Sequence, residues 1–305
     1  MVPKIYKECL NMKNIGFLGL GLMGLPIAIN VVKGTGQSIL GFDVMQDKKD
    51  RFKEAGGTPV DDPMEIYTSC DIIFTSLPTH AIIINSIEGA IKNGKPGNII
   101  VDLSSTAPNI VTKLNDEAQE AGMELLDSPI SGGEPGAKNG TLAIMTGGNK
   151  EAFDEVLSIL ECMGKPVYTG PSTTGSITKL ANNLIAGAML VAIAEGYGFA
   201  AKAGLDPEVL FRATRTGFVG GPLYDDKIPK LINRNFEPGA RIAVHRKDII
   251  NAKNYAHELG IDLPLTDVVL NVMDWMDDNG MINIDQIGMV KYYEKKMDTV
   301  VQKKH

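Results

Sequence analysis

Three glycines near the start of the chain, Gly19-x-Gly21-x-x-Gly24, stand between an apolar run at 14–18 and a segment of helical spacing at 22–33. The run reads as a buried strand, and the segment, which meets Gly34 and Gly36, as a helix. Few chain folds accommodate that order. Gly19 allows a tight turn, Gly21 lets the backbone approach a pyrophosphate, and Gly24 lets helix and strand pack closely. Leu20, Leu22 and Met23 complete this candidate cofactor-binding loop, where the free amides and the positive dipole at the helix start would hold the phosphates. Glycines kept only for packing would give the same spelling, so context has to decide. Asp43 supplies it, nineteen residues after Gly24 at the end of a second strand, 38–42. A carboxylate there accepts the ribose hydroxyls of NAD, whereas the 2'-phosphate of NADP would meet like charge. NAD is therefore expected, with NADP possible because Lys48, Lys49 and Arg51 lie one or two turns on. The competing role for Asp43 is a helix N-cap.

Strand-like runs continue at 71–77, 98–103, 123–126 and 142–145, with 166–168 closing the series, and helical segments such as 111–121 and 151–163 separate them. Continuous apolar strands between helices predict an α/β fold, a Rossmann-type doubly wound and mostly parallel sheet. Beyond Gly170 the strand signals stop, and helices are expected at 174–202, 207–214, 223–234, 244–259, 265–277 and 284–297. The 305 residues are about twice a typical ~150-residue domain. The expected division is a dinucleotide-binding domain at 1–172, with a short N-terminal extension, and an all-helical substrate and oligomerisation domain at 173–305, joined by a long helix.

A formal charge of -7 without a basic block argues against nucleic acid and anionic membrane surfaces as partners. The longest apolar run, 184–194, falls short of the roughly 20 residues that span a bilayer. Cys9, Cys70 and Cys162 are odd in number and without a CxxC pair, and His80, His245 and His257 lack ligand spacing, so no disulfide framework or metal site is expected. The first residues do not spell a secretory signal, which predicts a cytoplasmic protein. Lys303, Lys304 and His305 read as a frayed end.

Reducing a carbonyl with hydride creates a developing alkoxide that needs a proton and a nearby positive charge. Lys179 is the candidate: its neighbours Ile177, Leu180, Ala181 and Leu184 are apolar, and no acid lies within four residues. A lone lysine is more often solvated. Asn182 and Asn183 follow at i+3 and i+4 on or near the same helical face, able to orient substrate oxygens or the amine, the alternative for one of them, Asn182 before Asn183, being a backbone bond at the domain junction. Upstream, 127–142 follows a strand and is dense in glycine; Ser131, Gly132 and Gly133 there would form an anion nest for a carboxylate. The plainer explanation is a tight loop that needs positive φ.

At these residues the chain resembles the β-hydroxyacid dehydrogenase family. The GLGLMG fingerprint, DSPISGGEPGAKNGTL at 127–142, GPSTTGSITKLANN at 170–183 and the Lys247-Asp248 pair carry the likeness, which runs from Asn14 to about Met297. It implies a Rossmann-type domain joined to helices, usually as dimers or tetramers, and a metal-free reaction on a small carboxylate substrate. Lys179 would be the acid/base, and Ser131, Gly132, Gly133 and Asn183 would hold the carboxylate. Lys247 would reach the nicotinamide side, while Leu77, Pro78 and Thr106 would line the cofactor. Arg241 and His245 before the Lys-Asp pair, LPLT at 263–266 and KYYEK at 291–295 are most similar to the tartronate semialdehyde (2-hydroxy-3-oxopropionate) reductases of that family. The alternatives are 3-hydroxyisobutyrate or 2-(hydroxymethyl)glutarate dehydrogenase activity and, from another class, a non-catalytic nucleotide-binding regulator. Arg241 either meets a second substrate carboxylate or pairs with an acid such as Glu237.

Overall fold

The structure, a computed structural model, describes residues 13–303. The expected N-terminal extension as far as residue 12, Cys9, Lys304 and His305 lie outside the described residues. The chain divides into two compact units, Met1–Lys179 and Leu180–His305. The division falls inside the helix Thr174–Lys202, beyond the expected junction at 172/173. Its first turn and a half belong with the sheet because a sheet carboxylate binds the amides at its start, as described below.

The first unit is built on nine strands: β1 Ile15–Leu18, β2 Leu40–Phe42, β3 Thr58–Pro59, β4 Ile72–Thr75, β5 Ile99–Asp102, β6 Glu124–Asp127, β7 Ile130–Ser131, β8 Leu142–Gly147 and β9 Gly164–Gly170. The order is β3-β2-β1-β4-β5-β6-β8-β7, with β9 also on β8. Six strands, β3 through β6 in that order, are parallel, and β6–β8 and β7–β8 are antiparallel. Side chains alternate between two cores. Phe17, Ile72, Phe74 and Val101 join one buried cluster, while Leu18, Ile73 and Ile100 join another. Both faces are covered, and so the central strands β1, β4 and β5 are buried at every position.

Sequence periodicity overlooks β3, β7 and the helix Gly133–Asn139. The two strands have two residues each, too few for an alternation to show.

The second unit is helical: Pro207–Thr214, Pro222–Ile232, Ile242–Glu258, Pro264–Asp278 and Val290–Met297 follow the remainder of Thr174–Lys202. The expected helix at 284–297 is a 3₁₀ turn, Gln286–Met289, running into the shorter α-helix. Leu190, Val191, Ala194 and Tyr197 enter this unit's core with Ile228, Ile249 and Met273. Thr174–Lys202 has the length and apolar composition to cross a membrane, at mean hydropathy 1.7, which a count over 184–194 alone misses. A soluble protein's core helix passes the same test, and the buried face of this helix is used for packing. Lys303 is paired with Glu208 at 2.7 Å, contrary to the frayed end expected there.

Candidate active site

The strand order reverses between β1 and β4, and in open parallel sheets the crevice beyond the carboxyl ends of such a pair is where ligands bind. The glycine loop forms the β1 side. Gly19 has φ 92°, and a side chain on it would strike the Ser76 carbonyl; one on Gly24 would strike the carbonyl of Gly19. At Gly21 a side chain would meet nothing within 4 Å, so the loop is open outward there. Leu20 is buried, Met23 is half-buried and Leu22 exposed. The helix Gly24–Thr35 has neither a side-chain cap nor an acid in its first turn. Its leading amides therefore suit an outside anion.

Asp43 is tied to this loop: Oδ2 accepts the Leu20 amide at 2.7 Å and Oδ1 the Met45 amide at 2.8 Å. The cap position of the next helix, Gln46–Glu54, is Met45, so the N-cap role considered for Asp43 is not realised. Each carboxylate oxygen retains capacity for a further donor, such as a ribose hydroxyl. Lys48 and Lys49 are engaged by Asp47 at 2.8 Å and Asp61 at 2.6 Å, while Arg51 is exposed.

On the other side of the switch point a buried carboxylate that sequence reading passed over, Asp102, organises three segments. It accepts hydroxyls from Thr75 at 2.7 Å and Thr106 at 2.5 Å, and the Ser104 amide at 3.0 Å. Ser104 Oγ in turn accepts the Leu77 amide at 3.0 Å. Half-buried Leu77, exposed Pro78 and buried Thr106, the expected cofactor-lining residues, are thus placed at strand ends by one acid. The spacing Asp102-x-Ser104-x-Thr106 after an apolar run was the available signal, since short polar side chains there bond locally.

The glycine-dense segment expected to be a loop is ordered. Ser131 ends β7, paired with Ala143 of β8, and Gly132 (φ 132°) and Gly133 (φ 62°) turn the chain into the helix Gly133–Asn139. Ser131 is half-buried and both glycines are exposed. Glycine and proline mask helix and strand propensity alike, and pairing with β8 supplies the order instead.

Asp127, at the end of β6, is 1 % exposed. Its Oδ1 accepts the Thr173 amide at 3.0 Å and its Oδ2 the Ser176 amide at 2.7 Å, at the start of the helix that carries Lys179. Burial pushes the carboxyl up to about 6, with the amides of Ser176 and Thr173 pulling the other way. Lys179 follows half-buried.

One turn on, Asn183 is buried and bonded at both ends of its amide. Its Nδ2 donates to Asp248 Oδ2 at 2.8 Å, its Oδ1 accepts from Asn182 Nδ2 at 3.0 Å, and its backbone carbonyl accepts from His245 Nε2 at 2.9 Å. His245 and Asp248 are three apart on Ile242–Glu258, on one face, so a single helix grips Asn183 twice. His245, 4 % exposed, is a buried structural partner. Lys247 is 42 % exposed with its ammonium 3.5 Å from Asp248. Arg241 is exposed, its backbone bridges to Asp285, and the expected pair with Glu237 is not formed. The neighbouring Arg246 binds Asp274 at 2.6 Å.

Residues 14–173 match the profile described as the NAD binding domain of 6-phosphogluconate dehydrogenase, and 173–293 the one described as the NAD-binding of NADP-dependent 3-hydroxyisobutyrate dehydrogenase. The chain is 32% identical to 2-hydroxy-3-oxopropionate reductase of Escherichia coli, covering 92% of this chain and 97% of that one. It is 31% identical to 2-(hydroxymethyl)glutarate dehydrogenase of Eubacterium barkeri, covering 92% and 95%. Among solved structures, a Mycobacterium tuberculosis 3-hydroxyisobutyrate dehydrogenase with L-serine superposes at TM-score 0.84 and 26% identity, over 92% of this chain and 99% of that one. A dinucleotide loop at the switch point, a lysine helix anchored to the sheet, and likeness across both halves lead to one conclusion: the chain belongs to the β-hydroxyacid dehydrogenases, NAD(P)-dependent oxidoreductases acting on CH–OH groups.

Proposed function

We propose that this enzyme interconverts a small 3-hydroxy acid and its semialdehyde, with tartronate semialdehyde as the favoured carbonyl substrate and NAD as the favoured coenzyme. The observation that carries the reading is the placement of Lys179 on a helix whose start is bonded to a sheet strand end through Asp127. Such a lysine is held by the scaffold rather than by a loop, as proton transfer to a fixed oxygen requires.

The dinucleotide fits the residues present. The open surface at Gly21, the uncapped helix start behind it and the Asp43 carboxylate at the end of β2 would hold pyrophosphate and ribose, and Leu77, Pro78 and Thr106 would line the rest. When bound in reduced form, the coenzyme supplies hydride. Lys179 gives its proton to the carbonyl oxygen in reduction and takes it back in oxidation, stabilising the charge that develops there. Ser131 and the amides at Gly132 and Gly133 hold the substrate carboxylate, and Asn182 and Asn183 orient it. Asn183 has one amide hydrogen beyond the one given to Asp248 for this purpose. Lys247 adds a cation on the nicotinamide side. The identity to a 2-hydroxy-3-oxopropionate reductase over nearly the full length of both chains supports the substrate assignment.

The enzyme is read as a cytoplasmic homodimer or homotetramer. Ile177, Ala181, Ile185, Met189 and Ala192 recur every three or four residues on the exposed face of Thr174–Lys202, with Phe199 seven residues further on, an apolar stripe that suits a second copy. Burial pushes the Cys70 thiol up to about 11, leaving it inert.

The test is a comparison of kcat/KM for tartronate semialdehyde, methylmalonate semialdehyde and 2-formylglutarate, each with NADH and NADPH. The first with NADH should lead. A lead by either other aldehyde sinks the substrate assignment, and a lead by NADPH sinks the role of Asp43.

A further inference from the structure

Asp127 is a buried acid that the reaction as outlined does not use, and its surroundings are costly to build. A side chain at Gly147 would come within 2.7 Å of Asp127 Oδ1, and one at Gly175 would strike the Asp127 carbonyl. The chain therefore brings the end of β6, the end of β8 and the first turn of Thr174–Lys202 together around one carboxylate. Thr173, just before that helix, takes φ 78°, a left-handed conformation uncommon outside glycine. Its amide is one of the two that Asp127 accepts.

A carboxylate accepts two N–H groups, one on each oxygen, and this pair, from residues 173 and 176, fixes both the axial position and the rotation of the first turn. Lys179 is three residues after Ser176, on the same face of the helix. We propose that Asp127 is the positioning residue for Lys179: its ionised carboxylate sets the register of the lysine helix against the sheet, and protonation releases it. This rests on Lys179 being the acid/base.

Protonation turns one acceptor oxygen into a hydroxyl directed at an amide, so one of the two bonds is lost. With the carboxyl raised to about 6, that loss falls within the working range of an enzyme. The groups around Asp127 from the packed elements are the Thr173 and Ser176 amides, the Ser176 side chain, the Thr174 hydroxyl near Gly147, and the carboxylate of Asp102, its register partner on β5. Asp102 is itself satisfied by Thr75, Ser104 and Thr106.

The experiment is the pH profile of kcat in the reductive direction, where Lys179 must be protonated and causes loss only at high pH. The wild type, Asp127→Asn and Lys179→Met are compared as full-length chains. The wild type should lose activity below about pH 6, and Asp127→Asn should show no such limb, with kcat about a hundredfold lower and KM for NADH unchanged. A wild-type profile flat from pH 5 to 7 overturns the proposal without any variant, as does a limb retained in Asp127→Asn. If Lys179→Met keeps full activity, the lysine reading itself fails, a result distinct from either of these.

Discussion

Both halves of the molecule bury a carboxylate, and they answer it differently. Asp127 in the sheet unit is met by the Thr173 and Ser176 amides and the Ser176 side chain, with no cation paired to it among the described residues. Asp285 in the helical unit, 0 % exposed, is met by the Lys227 ammonium at 3.0 and 3.1 Å, by Lys230 at 3.7 Å, and by the Gly239, Ala240 and Ile287 amides. Ionised Asp127 is thus a charge held at a cost to folding, whereas Asp285 is a charge balanced within its own core. The cost is retained where a helix has to be oriented for chemistry, and balance is found where helices only need to be joined. Asp285 draws the segment before Ile242–Glu258 onto the 3₁₀ turn, which builds the helix that grips Asn183.

The largest effect should come from Lys179→Met, which leaves both carboxylates in place. General acid catalysis is worth about 10²–10⁴-fold, so kcat should fall by about a thousandfold at nearly unchanged unfolding free energy. Single-turnover reduction followed by NADH absorbance, beside a urea titration, checks this; equal loss in both would erase the contrast between orienting and joining.

Lys227→Met strands Asp285 with only Lys230 and its amides. Removal of one member of a buried pair costs about 3–5 kcal/mol, and Lys230 should hold this loss near the lower end. Urea unfolding read from the helical signal gives the value, and a cost under about 1 kcal/mol would show that Asp285 is not balanced chiefly by Lys227.

The pH dependence of Asp127 has the opposite sign to that of a salt-bridged acid. Its folded value of about 6 lies above the unfolded one of about 3.9, so its contribution to stability is greatest below about pH 4 and is lost as pH rises through about 6. The fall amounts to about 3 kcal/mol. Asp127→Asn should flatten that slope, measured as unfolding free energy at pH 4.5 and 7.5; an unchanged slope would assign it to other groups.

The smallest of the set concerns a solvated pair. Arg215 and Asp225, at 2.8 Å and both substantially exposed, are screened by solvent, so Arg215→Ala should leave the urea midpoint almost unmoved. A larger shift would show that even surface charge matters in the helical unit.

Much of the sheet unit is legible in the sequence, because its strands are buried on both faces and its turns need particular residues. The runs around Phe17, Phe74 and Val101 are apolar up to a closing Thr75 or Asp102, and Gly19 and Gly24 occupy sites that tolerate no side chain. What escapes is the short and the polar. β7 is two residues held by pairing to β8, and Asp102 is marked only by the short polar residues Ser104 and Thr106 after it, while its bond to Thr75 of another strand leaves no local trace. In the helical unit the periodicity located the helices, yet it could not say that His245 and Asp248 both close on Asn183, sixty-two and sixty-five residues away in the chain.

By itself the sequence determined the βαβ nucleotide loop, the change from sheet to helix after Gly170, and the lysine in an apolar helix, since each depends on residues near one another and on periodicities of two or 3.6. Only the tertiary structure decided which acids would be buried and what would answer them. Asp127 and Ser176 are forty-nine positions apart, and Lys227 and Asp285 fifty-eight. The charge state and partners of a buried carboxylate follow from desolvation and from donors brought in by other elements, and no local pattern encodes either.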